Sequence, residues 1–199
     1  MKKFLVIETS AEPASWALFA DGERIAGATV SGRASGSLAP GLRAVSGALR
    51  GVTAVIVGVG PGSFSGIRVG IATAQGLAAA LGCRVIPARS TRALAWRHRA
   101  EPDLGIFADA RRGKFFYTAY AGGALVTPTR LVADDEVRQL ATRHHLSLGV
   151  GPLPFATRAE SPSAADLGRA MLDGPAEPDL ALEPIYLHDA TPGGPPTRR

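Results

Sequence analysis

A chain of 199 residues, 46% hydrophobic and 20% charged, has enough apolar material for one compact domain or two small ones and is not a disordered polyelectrolyte. Its net charge of +5 favours polyanionic neighbours without specifying them, and its single cysteine, Cys83, excludes an internal disulfide and a cysteine-built zinc site. The apolar run after Lys2 and Lys3 ends at Glu8, too short for a signal-peptide core, and the uncharged stretch Val69 to Cys83 is too short to span a bilayer. A cytoplasmic protein with no membrane segment is the expectation.

In chain order, Phe4 to Ile7 reads as a buried strand, and Ser15 to Ala20 as a second that turns at Asp21-Gly22 into Arg24 to Val30. Leu38, Leu42, Val45 and Leu49 recur at helical spacing and define one apolar stripe. Ala54 to Val57 is a short buried strand. A glycine-rich loop follows, then a long helix from about Ser65 to Leu81. Arg84 to Ala88 is a further strand, and Ser90 is placed to cap a helix running to about Arg99.

The pattern then restarts. Leu104 to Ala108 and Lys114 to Tyr120 read as strands joined through Arg111-Arg112-Gly113, and Gly122-Gly123 turns the second into Ala124 to Leu131. A helix over Asp134 to Thr142 and a strand over Leu146 to Val150 follow. The offset of about a hundred residues between matching turns predicts two related βββαβ-type units: residues 1–100, and a smaller set at 101–188. Gly151-Pro152-Leu153-Pro154 breaks regular structure, Ser163 to Leu172 reads as a helix, and 189–199 as a loose Pro/Gly/Arg-rich tail.

The most distinctive segment is Gly58-Val-Gly-Pro-Gly-Ser-Phe-Ser-Gly-Ile-Arg68, a strand end, a turn of glycines and a helix N-terminus. It is neither a Walker loop, lacking the final Gly-Lys-Ser/Thr, nor the dinucleotide fingerprint, whose third glycine position is Ser65. The histidines, His98, His144, His145 and His188, show no i, i+4 pairing of a metal site. His144-His145 read as solvated groups at a helix end. Ser63 and Ser65 are not in a Gly-x-Ser-x-Gly elbow. No catalytic residue, metal ligand set or cofactor motif is therefore assigned.

Four segments, in order, resemble the TsaB (YeaZ) family: Leu5-Val-Ile-Glu-Thr-Ser10, the Gly60-Pro-Gly-Ser-Phe-Ser-Gly-Ile-Arg68 signature, Ile106-Phe-Ala-Asp-Ala-Arg-Arg-Gly113, and Glu183-Pro-Ile-Tyr-Leu187. The chain departs from the family pattern at Glu8, where Asp is usual, at Ala34-Ser35-Gly36, where a His-Ser-Glu element stands, and at His188, where Arg is expected. The resemblance implies an α/β actin-like (ASKHA) fold of two related lobes, the second reduced. It also implies a non-catalytic subunit that supports a TsaD-type transferase in forming N6-threonylcarbamoyladenosine at position 37 of tRNAs reading codons that begin with A. The implied partners are that TsaD-type subunit, a TsaE-type ATPase in the assembly, tRNA through the complex, and a second copy of the chain when alone.

The signature-loop residues are Gly60, Pro61, Gly62, Ser63, Phe64, Ser65, Gly66 and Arg68. Leu38, Leu42, Val45, Ile67, Gly70, Ile71, Ala74 and Ala78 form the stripe and small-residue row expected to meet the partner helix. Glu8, acting through a metal, and Arg111 and Arg112 are the expected anion contacts. The competing readings are an independent actin-fold, ATP-dependent phosphotransferase and, resting on charge, a stand-alone RNA-binding protein.

Overall fold

The computed structural model describes residues 3–30, 34–174, 177 and 179–185. The expected Tyr186-Leu187 match, His188 and the 189–199 tail lie outside them. Two five-stranded sheets repeat one order. In the first, β1 (Lys3–Glu8), β2 (Ala14–Ala20), β3 (Glu23–Val30), β4 (Ala54–Gly58) and β5 (Arg84–Ala88) run β3-β2-β1-β4-β5. In the second, β6 (Leu104–Arg111), β7 (Lys114–Ala121), β8 (Ala124–Ala133), β9 (Leu146–Val150) and β10 (Arg158–Glu160) run β8-β7-β6-β9-β10. Hairpins make the antiparallel pairs and crossovers the parallel ones, as a βββαβ unit requires.

The helices are α1 (Ala34–Ala44), α2 (Phe64–Leu81), α3 (Thr91–Arg97), α4 (Asp134–Arg143) and α5 (Ala164–Asp173). The Leu38–Leu49 stripe is split between α1 and a short 3-10 helix over Ser46–Leu49, and its leucines all reach the core. The second unit is reduced at one place. Where the first sheet crosses from β4 to β5 through α2, the second passes from β9 to β10 by the loop Gly151 to Thr157, and Leu153 and Phe155 fill in beneath it. The three-residue β10 went unread because so short a segment shows no periodicity.

The division into 1–100 and 101–188 needs correction at both closing helices. Leu94 and Ala95 of α3 pack with Leu104, Ile106, Tyr120, Leu146 and Leu148 of the second sheet. Conversely α5 buries Ala164, Leu167 and Met171 against Phe4, Phe19 and Ile56 of the first. The reason is areal: α1 and α2 cover one face of the first sheet, and its other face, carrying the stacked Phe4 and Phe19 rings, is covered by α5 together with Ala93 of α3. Each large side chain buried this way contributes about 1.5–3 kcal/mol.

Polar contacts bind the exchange. Arg97 donates to Glu160 at 2.7 Å and to Asp166 at 2.5 Å, Trp96 Nε1 donates to Asp173 at 2.5 Å, and Thr91 and Tyr120 share a buried hydroxyl bond of 2.9 Å. Ser90, expected to cap α3, instead turns its hydroxyl elsewhere, as shown below.

Gly168 lets α5 lie flat on the first sheet, because a Cβ there would strike the Phe19 ring. Gly168→Val is expected to cost on the order of 1–3 kcal/mol through overpacking, read as a lowered urea midpoint, whereas Arg158→Ala on the exposed β10 leaves it unchanged.

Candidate functional site

The site is assembled where the C-terminal ends of β1 and β4 meet the start of α2. The backbone N–H of Ser63 donates to the Ser10 carbonyl at 2.6 Å. Gly62 lies directly on that carbonyl, and a Cβ there would collide with it. Gly66 stands in the same relation to the Thr9 carbonyl, and Gly70 to the Thr9 hydroxyl. Glycine is thus required at these positions by close approach: the signature loop and the first turns of α2 are laid onto the end of β1. Ser63 caps α2, its hydroxyl accepting from the Gly66 N–H at 3.3 Å.

A second contact anchors the loop from below. Gly60 N–H donates to Ser90 Oγ at 3.0 Å, and Ser90 N–H donates to the Gly60 carbonyl at 2.9 Å. The Ser90 hydroxyl therefore serves the loop and makes no cap for α3, a correction to its expected role. No sequence signal points to this pairing, since thirty positions separate the two residues.

Glu8 ends β1 beneath the loop and is 1% exposed. Its Oε1 accepts from the Ser10 N–H at 2.7 Å, while Oε2 has no hydrogen-bond partner among the described residues. Burial pushes the carboxyl upward from its ordinary value, and hydrogen bonds from Ser10 pull the other way. With Oε2 buried and without a partner among the described residues, burial favours the neutral carboxyl over the ionised one. Glu8, expected to meet an anion through a metal, lies close against Gly58, whose Cβ would strike it, and is not among the residues lining the cleft.

The cleft itself, of about 740 Å³, lies between the sheets and is lined by Ser10, Ser63, Phe64, Asp109, Arg111 and Phe116, among others. Arg111 and Arg112 occupy left-handed backbone, at φ 68° and 55°, in the β6–β7 turn. Asp109 holds that turn, accepting from the Arg111 N–H at 2.7 Å and pairing with its guanidinium at 3.1 Å. Both arginines are exposed; Arg111 lines the cleft, paired with Asp109 and 87% exposed.

The residues expected to touch a partner are placed differently. Leu38, Leu42, Ile67, Gly70, Ile71, Ala74 and Ala78 are buried, and Val45 is half-buried against the same cluster. Their side chains are spent on the chain's own core, because α2 needs that row to pack on β1 and β4. The face of α2 left open carries Phe64, Arg68, Ala72, Gln75, Gly76 and Ala79, with Arg68 over the Phe64 ring at 5.3 Å. His144, read as solvated, is also corrected: it is wedged between Asp103 at 2.7 Å and the Tyr117 hydroxyl at 2.8 Å, while His145 is exposed beside Glu101.

Two sheets of one order, interleaved by exchanged helices around a cleft, define an actin-like two-lobed protein. A family model described as TsaD, tRNA N6-adenosine threonylcarbamoyltransferase, matches residues 41–154. The solved structure of YeaZ from Pseudomonas aeruginosa is similar at a TM-score of 0.74 and 24% identity, covering 94% of this chain and 100% of that one. A second crystal structure, of an uncharacterized protein with similarity to peptidase YEAZ from Pseudomonas aeruginosa, reaches a TM-score of 0.70 and 25% identity over 94% of this chain and 100% of that chain. An uncharacterized protein of Mycobacterium leprae is 33% identical over 147 residues, which are 70% of this chain and 39% of that longer protein. The chain belongs to the matched tRNA threonylcarbamoyl family and is a TsaB (YeaZ)-like member of it.

Because the folded value of Glu8 is raised, the stability its neutral form provides is complete below its ordinary value of 4.5 and is lost as pH rises through the folded value. Glu8→Gln keeps the neutral shape. In denaturant titrations it is expected to match the wild type under acid conditions and to gain on it as the pH is raised toward neutrality. At the loop, Gly62→Val is expected to cost on the order of 2 kcal/mol or more through its clash with Ser10, against about 1 kcal/mol for loss of the cap in Ser63→Ala. Thermal melts of the two variants, compared side by side, check that order.

Proposed function

We propose that this chain is a non-catalytic subunit that supports a TsaD-type transferase in forming N6-threonylcarbamoyladenosine at position 37 of tRNAs reading codons that begin with A. The observation that carries the reading is the closure of the signature loop onto the end of β1. Glu8, the carboxylate that could meet a metal-bound phosphate, is buried, and the β6–β7 turn carries Arg111 and Arg112. Membership of the tRNA threonylcarbamoyl family supplies the reaction such a subunit would serve.

On this reading the contact with the catalytic subunit is the open face of α2, bordered by a groove of about 630 Å³ that Leu182, Glu183 and Pro184 complete. Small side chains at Ala72, Gly76 and Ala79 let a partner helix come close, and Phe64 supplies a large apolar contact. A TsaE-type ATPase joins that assembly, and a second copy of the chain takes the same face when the partner is absent.

The purified chain is expected neither to hydrolyse ATP nor to modify tRNA alone; turnover abolished by Glu8→Ala would favour the phosphotransferase instead. Ala72→Glu, on the open face, is expected to stay folded by circular dichroism and to lose co-purification with the catalytic subunit. Ala74→Arg, by contrast, puts a cation into the core and is expected to unfold the chain, since an unpaired buried charge costs several kcal/mol. If Ala72→Glu still assembles and restores the modified nucleoside in a strain lacking the chain, the contact lies elsewhere.

A further inference from the structure

From Arg24 to Ala100 the sequence carries ten arginines and no aspartate, glutamate or lysine. With a net charge of only +5 over the whole chain, the remaining residues are net acidic. The positive excess therefore lies between residues 24 and 100.

The fold gathers much of it at one end. Arg24 is registered with Phe19, Phe19 with Phe4, Phe4 with Ala54, and Ala54 with Arg84. The two arginines thus close a single row at the two edge strands, four strand spacings or roughly 19 Å apart. Between them Lys3 begins β1, and its Nζ donates to the Arg50 carbonyl at 2.8 Å. Arg43 stands in the last turn of α1, just before the 3-10 helix that leads to Arg50. This end is opposite the cleft, which lies at the other ends of β1 and β4.

Arg24, Arg43, Arg50 and Arg84 are exposed, and none pairs with a carboxylate among the described residues. That separates them from Arg89, Arg97 and Arg169, which hold the lobes and α5 together through Glu177, Glu160, Asp166 and Glu23. Of the carboxylates at this end, Glu23 is engaged by Arg169 at 3.0 Å, and Asp21 lies in the β2–β3 turn. Exposed guanidiniums without a carboxylate partner among the described residues are available to the phosphates of a polyanion.

We infer that this end of the first lobe is a contact surface for RNA phosphates, formed by Arg24, Arg43, Arg50 and Arg84, and that it docks the backbone of the substrate tRNA. The inference rests on the tRNA-modifying reading above. Arginine favours phosphate through its planar, bidentate fork, and phosphate contacts position a nucleic acid without reading its sequence. Among the described residues near these arginines the exposed large apolar side chain is Ile25, too little for base stacking or for insertion into a bilayer.

The test is fluorescence anisotropy of a labelled tRNA transcript with the full chain, from about 50 to 300 mM salt, where each phosphate contact contributes roughly 0.7–0.9 to the slope of log K against log salt. Replacing Arg24, Arg50 and Arg84 together by alanine is expected to lower that slope by about 2–3 and the affinity at least about tenfold. The same three changed to lysine should keep most of the slope. Arg138→Ala with Arg143→Ala, on α4 of the second lobe, should leave it unchanged. Equal binding by the alanine variant, or equal loss in the α4 control, overturns the proposal. So does binding to phosphatidylserine vesicles without binding to tRNA. Co-purification with the catalytic subunit is scored separately. Loss of tRNA binding with assembly intact supports both proposals, whereas arginine-dependent tRNA binding without assembly keeps this surface and removes the subunit reading.

Discussion

Everything at the centre of this molecule depends on the seating of one backbone segment on another, the Ser63 N–H on the Ser10 carbonyl. For that contact to form, the loop must approach β1 with no side chain between, hence Gly62, Gly66 and Gly70 in succession. The same approach turns α2 so that Ile67, Ile71, Ala74 and Ala78 face the sheet. It also roofs Glu8 and makes a neutral carboxyl the cheaper state. A segment that looks like a phosphate cradle is thus a lid on its own strand.

The second constraint is the exchange of helices. α5 packs on the first sheet, while α3 lends Ala93 to the first core and Leu94 and Ala95 to the second, so the two cores meet at that helix. The charged residues at that seam are consumed in holding it. His98 and Arg97 hold Glu160 below the usual carboxylate range even though its burial works in the opposite direction. Arg24, Arg43, Arg50 and Arg84, at the far end of the first lobe, are exposed and pair with no carboxylate among the described residues. Exposed apolar side chains include Phe64 on the outer face of α2, Ile25 on β3, and Leu125 and Val126 on β8. Function in such a protein lies in what the fold does not use.

Much of this was legible in the residues. The repeat was visible because hairpin turns at Asp21-Gly22 and Gly122-Gly123 are dictated locally, by backbone that glycine and aspartate tolerate. The core strands were legible because runs such as Ala54–Val57 are apolar on both faces. Less legible was anything that depends on which face meets which neighbour. The small-residue row of α2 suits a partner helix and the chain's own sheet equally well, and periodicity alone does not choose between them. His144 after a helix end is solvated in most settings, yet here Gly105 leaves a hollow that its ring fills.

What the sequence by itself determined was the set of local elements, the tight loop and the family to which its motifs belong, because these follow from backbone allowance and short-range spacing. What only the tertiary structure decided was the use of each side chain. Ser90 serves Gly60, α5 covers the sheet of the other unit, Glu8 is buried, and Arg24 shares a row with Arg84. These outcomes depend on contacts between residues far apart in the chain, and such contacts are set by competition for buried area, which no local pattern records.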